Sequence, residues 1–473
     1  MKLSCYWFYR LITYATNQSP YSFKTIRNPI KNAMKKTIVI FLFIMCDICY
    51  SNTIAQTPQP AKMKYPETRK DSVSDNYFGT IVHDSYRWLE NDTSAETAQW
   101  VKAENAVTQE YLSKIPFRQK ISDRYEGIFN YEKYSAPFKQ GNFIYYYKNS
   151  GLQNQFVVYR ELYSGGEPEL FLDPNTFSKD GTTSLGALNF SKDASMAAYN
   201  ISEGGSDWQK MLVMDAINKK LVGDTMQDIK FGSAAWKGNV GFFYSTYDRP
   251  KEGSFLGGVT DNHKLLFHKV GTPQSEDKLI YGGPSQPRRY ISAVLTEDEK
   301  WLIIYGAKAT YGNELLVLDL THADAKPIAL VSDMANRHFI IDSDESNFFI
   351  QTDRKAPNGK LVIVSQSTPQ EENWKDLVPE KSEALSASSG GGYLFCSYLK
   401  DAITKVYQYD RKGKEVREIL LPGLGSADGF GAKQEELKRD REKRIEPKRD
   451  ELRRERDEQR DQKGIVPPSP QAR

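Results

Sequence analysis

At 473 residues the chain could hold two or three ordinary domains or one large one, and its 39% hydrophobic and 12% aromatic content can build a sizeable core. A chain disordered throughout is thereby excluded. The formal net charge is +3, and residues 433–463 alone carry 13 basic and 11 acidic side chains, or +2. What remains is too weak a field to attract nucleic acid or an anionic membrane.

From Met34 the sequence reads MKKTIVIFLFIMCDICYSNTIAQ. Two lysines, an apolar run from Thr37 to Cys46 and then small polar residues before Gln56 form the three-part layout of a secretory signal peptide. The run falls short of the about twenty apolar residues that span a bilayer, and Asp47 interrupts it, so no stable membrane span is expected. Residues 1–33 read as an upstream extension, 34–56 as the signal, and 57–64 as a linker, which predicts export to a periplasm or the outside; an unused signal would leave the chain cytoplasmic. Cys5, Cys46 and Cys49 all lie in this region, leaving Cys396 as a lone thiol in a strand, expected to be buried and inert. No Cys/His cluster has zinc-ligand spacing, and no cofactor is expected.

Residues 65–130 predict a helical segment. Thr93 and Glu96 have capping-box spacing at the start of a first helix, whose Trp100, Ala103, Val107 and Tyr111 share one face. Pro116 suits the first turn of a second helix carrying Ile121, Tyr125 and Ile128. Such stripes predict packing surface rather than a cofactor box.

From about Ser135 the period changes. Strand runs centred near Tyr146, Tyr199, Tyr244, Tyr305, Ile350 and Cys396 recur about every 45–60 residues, several followed by a second strand and a polar turn, as in KMLVMDAINKK and KVYQYDRKGKE. A repeat of that length with about four strands predicts β-propeller blades over residues 135–432, because stacking covers the faces that one four-stranded sheet leaves bare. The fold class is therefore mainly β, with about six blades.

The stretch YPETRKDSVSDNYFGTIVHDSYRWLE, the later ETAQWV with Asn105, and the blade segments NISEGGSDWQKMLVMD and GFFYSTYDRP resemble the prolyl oligopeptidase family over roughly Lys64 to Lys433. The resemblance implies a seven-bladed propeller, here incomplete. It also implies that the helical segment belongs to an α/β-hydrolase domain whose Ser-Asp-His triad cleaves short proline-containing peptides after proline.

The residues for that chemistry are not found in the sequence. A hydrolase nucleophile sits in G-x-S-x-G, where only small residues fit the tight turn. Ser206 in GGSDW and Ser285 in GGPSQP each lack the trailing Gly. His83 lies in the structural VHDSYRWLE motif; His263 and His268 fall on and beside one strand with side chains to opposite faces; His322 and His338 stand isolated. Asp193, Asp207 and Asp344 occupy turn positions where a backbone hydrogen bond suffices. Catalytic, cofactor and metal residues are thus predicted to be none. After GFGAK, residues 433–473 form a charged, disordered tail in which Leu437, Ile445 and Leu452 are the only apolar residues before Ile465. The seventh blade and the hydrolase domain are expected to have been replaced there, for instance by a shifted reading of purine-rich codons. The expected product is an inactive, aggregation-prone chain with exposed edges on its first and sixth blades. The alternative is a non-catalytic propeller that binds a peptide or protein partner.

Overall fold

The computed structural model describes residues 63–249 and 260–431. The expected extension, signal peptide and charged tail lie outside the described residues. The chain divides into two units, Met1–Glu67 with Glu104–Val107, and Thr68–Ala103 with Thr108–Arg473. In the first, residues 63–67 have no regular secondary structure and residues 104–107 are helical. Among the described residues, all the sheets belong to the second.

A hairpin of β1 (Ser74–Tyr77) and β2 (Thr80–His83) comes first. Arg87 then pairs with Asp75 on β1 and, at 2.6 Å, with Asp84. Two helices follow, α1 (Ala95–Ser113) and α2 (Arg118–Phe129). The start of α1 corrects the expected capping box by one residue. Ser94, extended at φ −74 and ψ 141, is the N-cap and accepts from Thr97 N at 3.0 Å. Thr93 instead donates to Asn91 Oδ1 at 3.0 Å, and Glu96 pairs with Arg69 at 2.7 Å. Pro116 also lies ahead of its expected place, since α2 begins at Arg118 with Phe117 as N-cap. The stripe of α2 is exposed: Ile121, Tyr125 and Ile128 face solvent, and Tyr125 stacks on Phe129 at 4.4 Å.

Six blades make up the rest of the described residues, each an antiparallel sheet. Blade 1 lays β3 (Lys133–Tyr134) and β4 (Phe138–Gln140) along β5 (Phe143–Asn149), followed by β6 (Val157–Leu162) and β7 (Glu169–Leu172). Blade 2 comprises β8 (Thr183–Phe190), β9 (Met196–Glu203), β10 (Gln209–Asp215) and β11 (Lys220–Ile229). Blade 3 comprises β12 (Ala235–Lys237), β13 (Gly241–Thr246), β14 (Lys264–Lys269) and β15 (Lys278–Gly282). Blade 4 comprises β16 (Tyr290–Leu295), β17 (Trp301–Ala307), β18 (Glu314–Asp319) and β19 (Ile328–Val331). Blade 5 comprises β20 (His338–Ser343), β21 (Asn347–Thr352), β22 (Lys360–Ser365) and β23 (Lys375–Val378). Blade 6 comprises β24 (Leu385–Gly390), β25 (Tyr393–Lys400), β26 (Ile403–Tyr409) and β27 (Glu415–Ile419).

The six predicted centres all fall on the second-position strand of a blade: β5, β9, β13, β17, β21 and β25. That strand is paired on both sides, so it collects the densest run of apolar residues; β13 is buried at every position. First strands of neighbouring blades approach one another, β8 with β12, β12 with β16 and β20 with β24, which marks the first strand as the inner one.

Five apolar clusters hold the blades together, one for each seam from blade 1–2 to blade 5–6. At the blade 4–5 seam, Ile303, Val317, Phe348, Ile350 and Val364 interlock; fully burying one such side chain contributes about 1.5–3 kcal/mol. Among the described residues no such cluster joins blade 6 to blade 1. Instead the end of the described chain covers the far side of blade 6. Thr404 N donates to Gly425 O at 3.0 Å, Ala427 N to Thr404 Oγ1 at 2.9 Å, and the Phe430 ring lies 6.4 Å from Phe395. The far side of blade 1 carries a tyrosine ladder, with Tyr146 at 6.0 Å from Tyr134 and 5.9 Å from Tyr159. Cys396 is buried in the blade 5–6 seam, where burial pushes its thiol up to about 12, away from reactivity.

Candidate functional site

Two cavities open where the inner strands of blades 3, 4 and 5 begin. One, of about 400 Å3, is lined by Ser206, Asp207, Phe231, Gly232, Tyr244 and Ser292 among others. The second, of about 300 Å3, is lined by His263, Tyr290, Tyr305, Asn313, Arg337 and Phe339 among others. Phe231 and Ser292 line both.

Phe231 is 57% exposed and sits in the left-handed region at φ 57, a conformation that non-glycine residues adopt at a cost. Its ring meets Tyr290 edge-on at 5.9 Å, and Lys230 Nζ lies 5.4 Å over it. The same ammonium lies 5.2 Å over Trp208 and 3.8 Å from Asp207 Oδ2. Beneath this rim Trp208 packs on Tyr247 at 6.0 Å and Tyr247 stacks on His263 at 4.2 Å. Ile291 N donates to His263 Nδ1 at 2.9 Å, which assigns the ring proton to Nε2. Burial pushes this imidazole down to about 4, so it is neutral. Gly282 makes the approach of this loop possible: at φ 89, a Cβ there would lie 2.5 Å from His263 O.

The second cavity is braced by charge. Arg337 Nε lies 2.8 Å from Asp353 Oδ2, Tyr311 Oη donates to the same oxygen at 3.0 Å, and the guanidinium sits 5.3 Å over the Tyr311 ring. Next to the lining residue Asn313, the buried Glu314 draws Arg289 and Tyr281 to its Oε1 at 3.2 and 3.0 Å. Aromatic faces interleaved with fixed charges can take an apolar ring on one wall and a polar group on the next.

The residues singled out from sequence are placed as follows. Ser206 Oγ accepts from Trp208 N at 3.1 Å, and Ser285 Oγ donates to Gly282 O at 3.1 Å. Asp193 accepts from Ser195 N and Asp344 from Asn347 N, at 3.0 and 2.8 Å, as turn caps do. Asp207 departs from that expectation: 70% exposed, it projects at the cavity rim beside Lys230 because the chain has already left the turn there. His83 is exposed on β2. His263 and His268 turn to opposite sides, toward Ile291 of blade 4 and Asp224 of blade 2.

His322 and His338 are not isolated. His338 is fully buried, its Nδ1 2.9 Å from Thr352 Oγ1. His322 Nδ1 meets Asp319 Oδ2 and Thr321 Oγ1, each at 3.0 Å, in an exposed turn. That trio is no relay, because hydroxyl and carboxylate compete for one nitrogen and the hydroxyl donates to Asp319 Oδ1 at 2.6 Å. Among the described residues no serine, imidazole and carboxylate are joined in series. Nor is there, among them, a group of three or more His, Cys, Asp or Glu placed to hold a metal, or a helix long and apolar enough to cross a membrane.

Sequence reasoning missed Phe231, Tyr290 and Phe339. The only trace was the Lys-Phe-Gly triplet between two strand runs, a loop-like spot for an aromatic residue.

Comparison with known proteins places this geometry. The model of the prolyl oligopeptidase N-terminal beta-propeller domain matches residues 65–438. The chain is 50% identical over 375 residues to prolyl endopeptidases of Elizabethkingia miricola and Elizabethkingia meningoseptica, covering 79% of this chain and 53% of each relative. A solved prolyl endopeptidase studied for inter-domain dynamics superposes with a TM-score of 0.69 at 29% identity, covering 78% of this chain and 55% of that one. Prolyl oligopeptidase B of Galerina marginata, bound to a 35mer hydrolysis and macrocyclization substrate, gives 0.68 at 26% identity, with 78% and 56% covered. The chain spans about half the length of the curated relatives it matches, 53% in the first two. It belongs to the prolyl oligopeptidase family and carries that family's N-terminal propeller.

Proposed function

We propose that this chain is the substrate-admitting propeller of a prolyl oligopeptidase-type serine peptidase acting on short proline-containing peptides, and that alone it holds such peptides without cleaving them. The observation that carries the reading is the pairing of peptide-sized, aromatic-rimmed cavities with a serine and a histidine, Ser206 and His263, whose Oγ and Nδ1 already accept from backbone N–H groups. Relatives that are prolyl endopeptidases support the substrate class. The helical segment, whose stripe on α2 is exposed, fits the role of a piece of the hydrolase domain. The leader-like stretch from Met34 supports export.

A second reading, a propeller that binds a peptide or protein partner with no catalytic role, is favoured by the strained, exposed Phe231 at the shared wall of both cavities. Titration with a fluorescent proline-containing pentapeptide tests the cavity's part in both. Saturable binding that weakens at least tenfold in Phe231→Ala supports it, and equal binding by both proteins removes it.

A further inference from the structure

We infer that His268 is a charged latch across the seam between blades 2 and 3, holding the seam closed near neutral pH and releasing it in alkali. The ring sits on β14 of blade 3 with Nδ1 2.8 Å from Asp277 Oδ1 and Nε2 3.2 Å from Asp224 Oδ2. Asp277 precedes β15 in the same blade, whereas Asp224 lies on β11 of blade 2, so the imidazole bridges two blades. Side chains of His268 and Asp277 are each 1% exposed and that of Asp224 is 10% exposed.

Geometry alone argues for the charge. An ionised carboxylate only accepts, and a neutral imidazole has a single N–H, so engaging a carboxylate through each nitrogen requires the imidazolium. The carboxylates are themselves fixed: Gly271 N donates to Asp224 Oδ2 and Tyr244 Oη to Asp277 Oδ2, both at 2.6 Å. Gln274 Nε2 donates to the same Tyr244 oxygen at 3.1 Å. The titratable groups facing the ring are therefore Asp224 from β11, Asp277 from the loop before β15 and, through Asp277, Tyr244 from β13. The Phe242 ring, 5.2 Å away, closes the apolar side. Burial opposes the charge, but Asp277 and then Asp224 outweigh it and raise the imidazole above its ordinary value.

The sign follows. A histidine raised above its unfolded value of about 6.5 contributes fully below that pH, and its contribution is lost as pH rises through the folded value. The loss falls on the seam that lines the larger cavity, with Ser206 and Asp207 on one side and Phe243 and Tyr244 on the other. The latch stands whether or not that cavity holds peptides.

Histidine-labelled NMR of the full chain reads the charge directly. His268 should keep both ring N–H groups at pH values where a free imidazole has already lost one. Hydrogen exchange, corrected for intrinsic chemistry, reads the seam: between pH 6.5 and 9, protection in β10, β11, β13 and β14 should fall at least tenfold relative to β17, β18, β21 and β22. In His268→Gln that difference should vanish, and if this variant does not fold, the two wild-type readouts decide. A His268 that titrates at or below 6.5, or two seams that lose protection in parallel, would overturn the latch.

Discussion

The seam between blades 4 and 5 and the seam between blades 2 and 3 bury similar apolar clusters but enclose opposite kinds of histidine. Beside the first, His338 meets one hydroxyl, Thr352 Oγ1, and its Nε2 has no hydrogen-bond partner among the described residues. Asn313 of blade 4 clasps its backbone, accepting from His338 N at 2.9 Å and donating to His338 O at 3.0 Å. Burial, then Arg354, pushes its imidazole down to about 4, so it is neutral. His268, equally buried, stands between two carboxylates and is charged. Burial alone does not set a histidine's state; the partners that the seam supplies do.

The comparison can be broken most forcefully at its apolar half. Phe348→Ala, fully buried at the blade 4–5 seam, should cost about 4 kcal/mol by urea unfolding; a loss under about 1 kcal/mol would mean the seam collapses onto the hole. Next comes the ionic half. Asp277→Asn leaves the His268 charge and the Tyr244 hydroxyl short of a partner and should cost about 3 kcal/mol at pH 7, shrinking in alkali as His268 loses its proton. A cost that does not change between pH 7 and 9 would contradict the charged state.

On the acid side the sign reverses. His338 and His263 both have folded values below the ordinary 6.5, so their contributions are present above that pH and are lost as it falls toward 4, by up to about 3 kcal/mol each. Unfolding midpoints at pH 7, 5 and 4 should show this slope, and His338→Gln should remove its share. The smallest effect sharpens the baseline: Ile350→Val at the apolar seam should cost about 1 kcal/mol, the same at pH 5 and pH 9 in matched denaturant titrations.

The blades were legible because each paired, doubly flanked strand leaves a compact apolar signature, as in GFFYST of β13. Cap placement was legible only to within one residue, since Thr93 and Ser94 are both good N-caps and tertiary packing chose the second. The His268 network was not legible at all. Asp224, Tyr244, His268 and Asp277 are brought together by the pairing of strands in one blade and the stacking of two blades, and no local period records that register. Phe231 escaped for a related reason, since an exposed aromatic in a loop looks like any other until the cavity forms around it. The resemblance to a peptidase family was carried by linear motifs, which survive without knowledge of packing.

The proposed role of this propeller is to hold proline-containing peptides without cutting them. Incubating the purified full chain with a chromogenic Gly-Pro substrate, and following release of the chromophore with and without a serine-reactive inhibitor, tests it most directly. Release no faster than in buffer is the predicted result; faster release that the inhibitor abolishes would contradict it.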